Sequence, residues 1–149
     1  MKKIFLILSA GVLLFACSNS EHQKTTAEKK ADSLYRDVDE LHGSAMAKSF
    51  QMEDAQKKLQ AAIDSISKLP ANLKDAAAKY KFQLDSLLNR MKYAGFAMEK
   101  WMGDYKWDSA TNDMEKRVEY LASERLKISK VKEIIMNNIH AADSLLRKK

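Results

Sequence analysis

The sequence predicts an all-α protein, an elongated antiparallel three-helix bundle running up-down-up with coiled-coil-like packing. Composition is the first observation behind it. The 149 residues include only 4 glycines and 1 proline and are rich in Ala, Lys, Leu, Glu, Asp and Met, which are strong or tolerated helix residues. The second is apolar spacing. Three long stretches carry apolar residues at alternating steps of four and three, which draws one stripe down a helix and requires that stripe to be buried. The third is punctuation: Pro70 separates the first stretch from the second, and DYKWDSAT (104–111) separates the second from the third.

The first helix is expected over about 28–67. Its stripe runs through Leu34, Val38, Leu41, Ala45, Lys48, Met52, Ala55, Leu59, Ala62 and Ile66. Gly43-Ser44 is its weak point, because glycine lowers helix propensity and Gly/Ser pairs accompany kinks. A break at Gly43 would give a four-segment bundle. Pro70 restricts Leu69 and suits the first turn of a new helix. The second helix is expected over about 70–102, with a stripe from Leu73 through Leu84, Leu87, Met91, Ala94 and Met98 to Trp101, and with Gly103 as its C-terminal cap. The third is expected over about 112–146. Asn112 and Glu115 have the spacing of a capping box, and the stripe continues through Leu121, Arg125, Ile128, Lys132, Ile135 and Ala142. Short connections make neighbouring helices antiparallel.

The N-terminus has a different character. Lys2 and Lys3 precede an apolar run from Ile4 to Phe15. That run is too short for a permanent transmembrane helix, which needs ~20 apolar residues, and reads as a secretory signal. Leu14-Phe15-Ala16-Cys17 resembles the lipobox of bacterial lipoproteins, which implies cleavage after residue 16 and lipid on Cys17. The division expected is a signal peptide over 1–16, lipidated Cys17 with a flexible tether over 17–27, and the bundle over 28–149. Cys17 is the only cysteine, so no intrachain disulfide can form.

Charge narrows the function classes. Cleavage removes Lys2 and Lys3 and takes the formal net charge from +6 to +4, a mild basicity that favours an anionic leaflet weakly and argues little for nucleic acid. The sequence holds no HExxH, glycine-rich phosphate loop or GxSxG. Asp39-x-x-His42 is half of a di-iron carboxylate spacing, but Asn137 stands where the second half needs an acid before His140. A non-catalytic protein without a cofactor, apart from the lipid on Cys17, is expected.

One constellation draws chemical interest. His42, Met46 and Phe50 are four apart on the first helix. Folding up-down-up brings Met98, Trp101 and Met102 to their level. Thioethers, an imidazole and an indole face suit a soft cation such as Cu(I), so His42, Met46, Met98 and Met102 are a candidate soft-metal cluster. Met and aromatic residues at helical spacing are also ordinary core fillers, and an apolar partner patch is a third reading. Trp101, on the stripe, is expected buried; Trp107, in the connection, is expected outside the core.

The run from Leu41-His42 through Met46, then Met98-Glu-Lys-Trp101-Met102, then Tyr120-Leu121-Ala-Ser-Glu124 and Lys127 to Val131, resembles a group of small Bacteroidota lipoproteins often labelled "viral A-type inclusion protein". Phe50 departs from that pattern. The resemblance implies a lipoprotein and a helical bundle, and no catalytic residue. The expected role is therefore a membrane-anchored interaction or structural module of the cell envelope, with a protein partner or a homodimer. The alternative is a periplasmic small-ligand or soft-metal binder. Ser18 at the second mature position resembles the outer-membrane sorting pattern of other lipoproteins.

Overall fold

A computed structural model describes residues 24–147. The signal peptide, Cys17 and most of the tether lie outside the described residues. The chain forms three helices, α1 (Thr26–Ser67), α2 (Ala71–Asp104) and α3 (Met114–Leu146). At 1.5 Å per residue these are rods of about 50–60 Å. Cross-links fix their directions. Arg125 Nε donates to Asp37 Oδ2 at 2.8 Å, near the beginning of both α1 and α3, so these two run parallel. Tyr80 near the start of α2 donates to the Leu145 carbonyl near the end of α3, so α2 runs antiparallel. The up-down-up bundle expected from the sequence is the one observed.

Helix ends follow local chemistry. Thr25 caps α1 in a full capping box: its hydroxyl accepts from Glu28 N–H, and the Glu28 carboxylate accepts from Thr25 N–H. This satisfies two backbone donors that would otherwise lack partners and starts the helix at residue 26, inside the expected tether. Pro70 occupies the N-cap of α2. Asp113, not Asn112, caps α3: it is extended, with φ −141° and ψ 98°, and its carboxylate accepts from Lys116 N–H. The bond and its pairing with the Lys116 ammonium hold the Asp113 carboxyl below its ordinary range.

The continuous first helix expected from the sequence is observed: α1 runs unbroken through Gly43 for 42 residues, so the four-segment alternative does not form. One glycine expectation is corrected. Gly103 does not end α2, which runs to Asp104 and is stopped by extended Tyr105. No described glycine has positive φ. The left-handed residue is Ala110, with φ 56°, in the connection between α2 and α3.

The core contains Val38, Ala45, Met52, Ala55, Leu59 and Ile66 of α1 and Leu84, Leu87, Met91, Ala94, Met98 and Trp101 of α2, on their expected stripes. Leu73 heads the α2 stripe yet is exposed. On α3 the stripe has the other phase. Leu121, Glu124, Ile128, Val131, Ile135, Asn138 and Ala142 are buried, spaced three then four where four then three was expected. Arg125 is exposed and Lys132 half-exposed, beside Asp37 and Glu40 of α1. Burying two cations without acids would cost several kcal/mol each. Rotation instead buries a glutamate and an asparagine that both find partners. Asn138 Nδ2 donates to the Arg90 carbonyl of α2 at 3.3 Å.

The backbone yields a paired expectation. A Cβ at Gly43 would meet nothing within 4 Å, so Gly43→Ala should stabilise by about 0.5–1 kcal/mol. Ala110 has a φ suited to glycine, so Ala110→Gly should not show the ~1 kcal/mol loss usual inside a helix. Urea unfolding followed by circular dichroism measures both; a destabilised Gly43→Ala would mean that α1 needs a bend there.

Candidate functional site

Chemistry-bearing side chains gather where the start of α1, the end of α2 and the start of α3 meet. Trp101 is 6% exposed, on the inner face of the last turn of α2. Its indole N–H donates to Glu124 Oε2 at 3.0 Å. Glu124 is 3% exposed, and its other oxygen accepts from Lys127 Nζ at 2.7 Å, a bond that raises the Lys127 pKa. Both carboxylate oxygens are thus engaged, as a buried charge requires.

Other aromatic rings pack against Trp101. His42 of α1 lies against the indole with ring centroids 5.3 Å apart and a 43° tilt. Tyr105 stacks on the indole at 5.0 Å and 17°, and Tyr120 of α3 stacks in turn on Tyr105 at 6.2 Å. Burial, then the neighbouring Tyr35 and Tyr120, push the Tyr105 hydroxyl up to about 12. A raised pKa in the folded state means that its contribution to stability is intact below pH 10 and is lost only as pH rises toward 12. The column also anchors the connection: Tyr120 Oη accepts from Lys106 N–H at 2.6 Å, and the Arg117 guanidinium donates to the carbonyls of Trp107 and Ser109.

The expected soft-metal cluster is divided between two adjoining recesses. His42 and Met102 line one of about 220 Å³, walled by Tyr35, Val38, Trp101 and Tyr105, with Asp39 at its edge. Met46, Met98 and Met102 line a groove of about 380 Å³ between α1 and α2. Met102 alone borders both. His42 Nε2 is buried and has no hydrogen-bond partner, unlike the other buried side-chain nitrogens and oxygens described. His140 is exposed near the opposite end of α3. Among the described residues no three His, Cys, Asp or Glu side chains converge as a metal-binding group.

A second feature lies outside the core. Phe82, Tyr93 and Phe96 are 73%, 63% and 58% exposed and, at about 100° per residue, project from the side of α2 opposite its core stripe. Asn89 and Ser86 complete that face, and Ile134 of α3 borders it across a groove shared with Arg90. The sequence signal was present: these aromatics fall between the heptad positions of α2. Glu124 and Asn138, which periodicity also missed, required the correct phase of α3.

No family model matches the chain, and comparison with curated proteins and with solved structures gives no match either. Among the described residues no helix is long and apolar enough to cross a membrane.

The burial of Trp101 sets a stability expectation. Trp101→Ala removes a core side chain and strips Glu124 of its partner in α2, so it should cost about 3–5 kcal/mol. Trp107 is 67% exposed, and Trp107→Ala should change stability by no more than about 0.5 kcal/mol. Thermal melts of the two variants test this; equal melting temperatures would contradict the placement of Trp101.

Proposed function

We propose that this chain is a lipid-anchored, non-catalytic interaction module of the cell envelope. The observation that carries the interaction part is the outward face of α2. Three large aromatics on one face of α2 leave apolar area in water, with Phe82 and Tyr93 bordering one groove beside Ile134, and exposed apolar surface beyond scattered single residues marks association surfaces. Aromatic side chains also supply much of the energy at protein interfaces. The anchoring part is supported by the lipobox-like Leu14–Cys17 and by the resemblance to small Bacteroidota lipoproteins. Multiple acyl chains on Cys17 would hold the bundle stably at a membrane where one chain is marginal.

A second reading, soft-cation binding beside His42, is favoured by the unpartnered Nε2. Buried polar groups in folded proteins are rarely left without a partner, and the Met102 thioether borders the same recess.

One set of measurements in the producing cells and on detergent-solubilised protein separates these readings. Radiolabelled fatty acid should enter wild type and not Cys17→Ser, and a photo-crosslinker in place of Phe96 should give adducts that the same group at exposed Lys58 does not. Equal labelling of wild type and Cys17→Ser removes the anchor; equal crosslinking at both positions removes the α2 surface. Saturable Cu(I) binding that is lost in Met102→Leu would favour the metal reading instead.

A further inference from the structure

We propose that the outward face of α2 binds a second copy of this chain, α2 against α2, antiparallel about a two-fold axis at Asn89. This names the partner of the interaction surface above and rests on that reading. It does not depend on the lipid anchor.

The register comes from the spacing of the exposed side chains. Phe82 lies seven residues before Asn89 and Phe96 seven after it. In an antiparallel pair centred on Asn89, a residue before the axis faces the residue equally far after it on the other copy. Phe82 of each copy therefore meets Phe96 of the other, Asn89 meets Asn89, and Tyr93 fills the space between. The three most exposed aromatics of α2 are covered in one arrangement.

Charge gives an independent test of that register, because the two-fold keeps the α1 side of each face against the α1 side of the other. By helical phase, at about 100° per residue, Lys81, Asp85, Lys92 and Glu99 follow one another on the α1 side of Asn89, with Asp85 close enough to the midline to border the groove toward Ile134 as well. Lys92 and Glu99 line the groove between α1 and α2, while Lys81 and Asp85 are already paired at 2.7 Å. The pattern is cation, anion, cation, anion. Reversed and laid on itself about Asn89, it brings Asp85 to Lys92 within one residue and Lys81 to Glu99 within two. A shift of one or two residues is about 1.5–3 Å along a helix, well within the reach of these side chains. The two-fold makes each contact twice. On the midline Lys100 approaches Lys79 of the other copy, but Lys100 carries Asp104 as its own counter-ion at 2.8 Å, and Asp75 lies one turn beyond Lys79.

A bilayer is less well matched. Lys79, Lys81, Lys92 and Lys100 on and beside this face are interspersed with Asp75, Asp85 and Glu99, so it is not the uninterrupted basic surface that anionic headgroups attract most strongly. The alternation of signs fits a partner with the reversed sequence of charges, and a second copy of α2 is such a partner.

The full-length chain in detergent, with Cys17→Ser so that an introduced thiol is the only one, tests the register. Oxidation should join Asn89→Cys to itself, since a disulfide needs Cα atoms about 4.4–6.8 Å apart. Phe82→Cys should fail to join itself, the two thiols lying about 21 Å apart along the axis, and should join Phe96→Cys when the two variants are mixed. In sedimentation Lys92→Asp, which opposes the Asp85 of the other copy, should weaken the dimer about tenfold or more. Asp85→Lys combined with Lys92→Asp should restore it. Circular dichroism of each variant confirms that the bundle is intact. A monomer at all accessible concentrations, self-joining of Phe82→Cys as efficient as that of Asn89→Cys, or no restoration by the double reversal would overturn the proposal. So would recovery of the α2 face only on anionic vesicles. Crosslinks from Phe96 to a different protein would overturn it while leaving the interaction reading standing.

Discussion

The hydrogen bond from the Trp101 indole to Glu124 is the constraint on which the rest of the arrangement depends. A carboxylate 3% exposed loses its hydration, and that loss is compensated only if strong partners replace the water. Trp101 supplies one partner from α2 and Lys127 the other from α3 itself. Because Glu124 must face Trp101, the rotation of α3 is set. Val131 and Asn138 follow Glu124 into the interior at one heptad each, and Arg125 turns outward to Asp37. The Asn138 bond to the Arg90 carbonyl repeats the same logic about four turns further along α3. Polar positions in a helical seam specify register more than they add stability. Here two of them define how α2 and α3 meet.

From that rotation the end of the bundle around Trp101 is assembled. Tyr120 lies one turn before Glu124 and reaches the column that Tyr105 and Trp101 form with His42. Arg117, one turn earlier again, binds the carbonyls of the connection. A nine-residue link containing a left-handed alanine is thereby held by side chains of one helix face. The same geometry leaves the outer side of α2 uncovered along its length. With α1 and α3 packed on its inner flanks, no described element can shield Phe82, Tyr93 and Phe96. The exposed aromatic face is a consequence of how a three-helix bundle is closed: each helix keeps one side for solvent, and α2 has placed aromatics there.

Much of this was legible in the sequence, for identifiable reasons. Pro70 and the polar stretch 104–111 mark the two reversals because neither continues a helix. The stripes of α1 and α2 are almost entirely apolar, so only one face of each can be buried, and Trp101 falls on it. The phase of α3 was not legible from apolarity, since either phase contains two polar residues. Partner chemistry decides it: Arg125 and Lys132 would be buried without acids, whereas Glu124 can accept from an indole and Asn138 can donate to a carbonyl. Gly43 left a break open and Gly103 suggested a cap, because glycine permits either without requiring it; packing of α1 kept the first helix whole, and α2 runs one residue past Gly103 before extended Tyr105 stops it. The candidate cluster of His42, Met46, Met98 and Met102 was placed at the right level of the bundle but in two recesses instead of one, because level follows from counting residues while the side of a helix follows from its rotation.

Trp101 and Glu124 act as a unit, and a double-mutant cycle measures their coupling. Trp101→Phe removes the donor while keeping most of the packing; Glu124→Leu removes the charge. Urea unfolding of both single variants and of the pair gives the coupling between them. A hydrogen bond to a buried charge predicts a coupling of about 1.5–3 kcal/mol, with Trp101→Phe costing much less once Glu124 is leucine. Additive losses, with coupling below about 0.5 kcal/mol, would contradict the account and show that α3 takes its rotation from apolar packing.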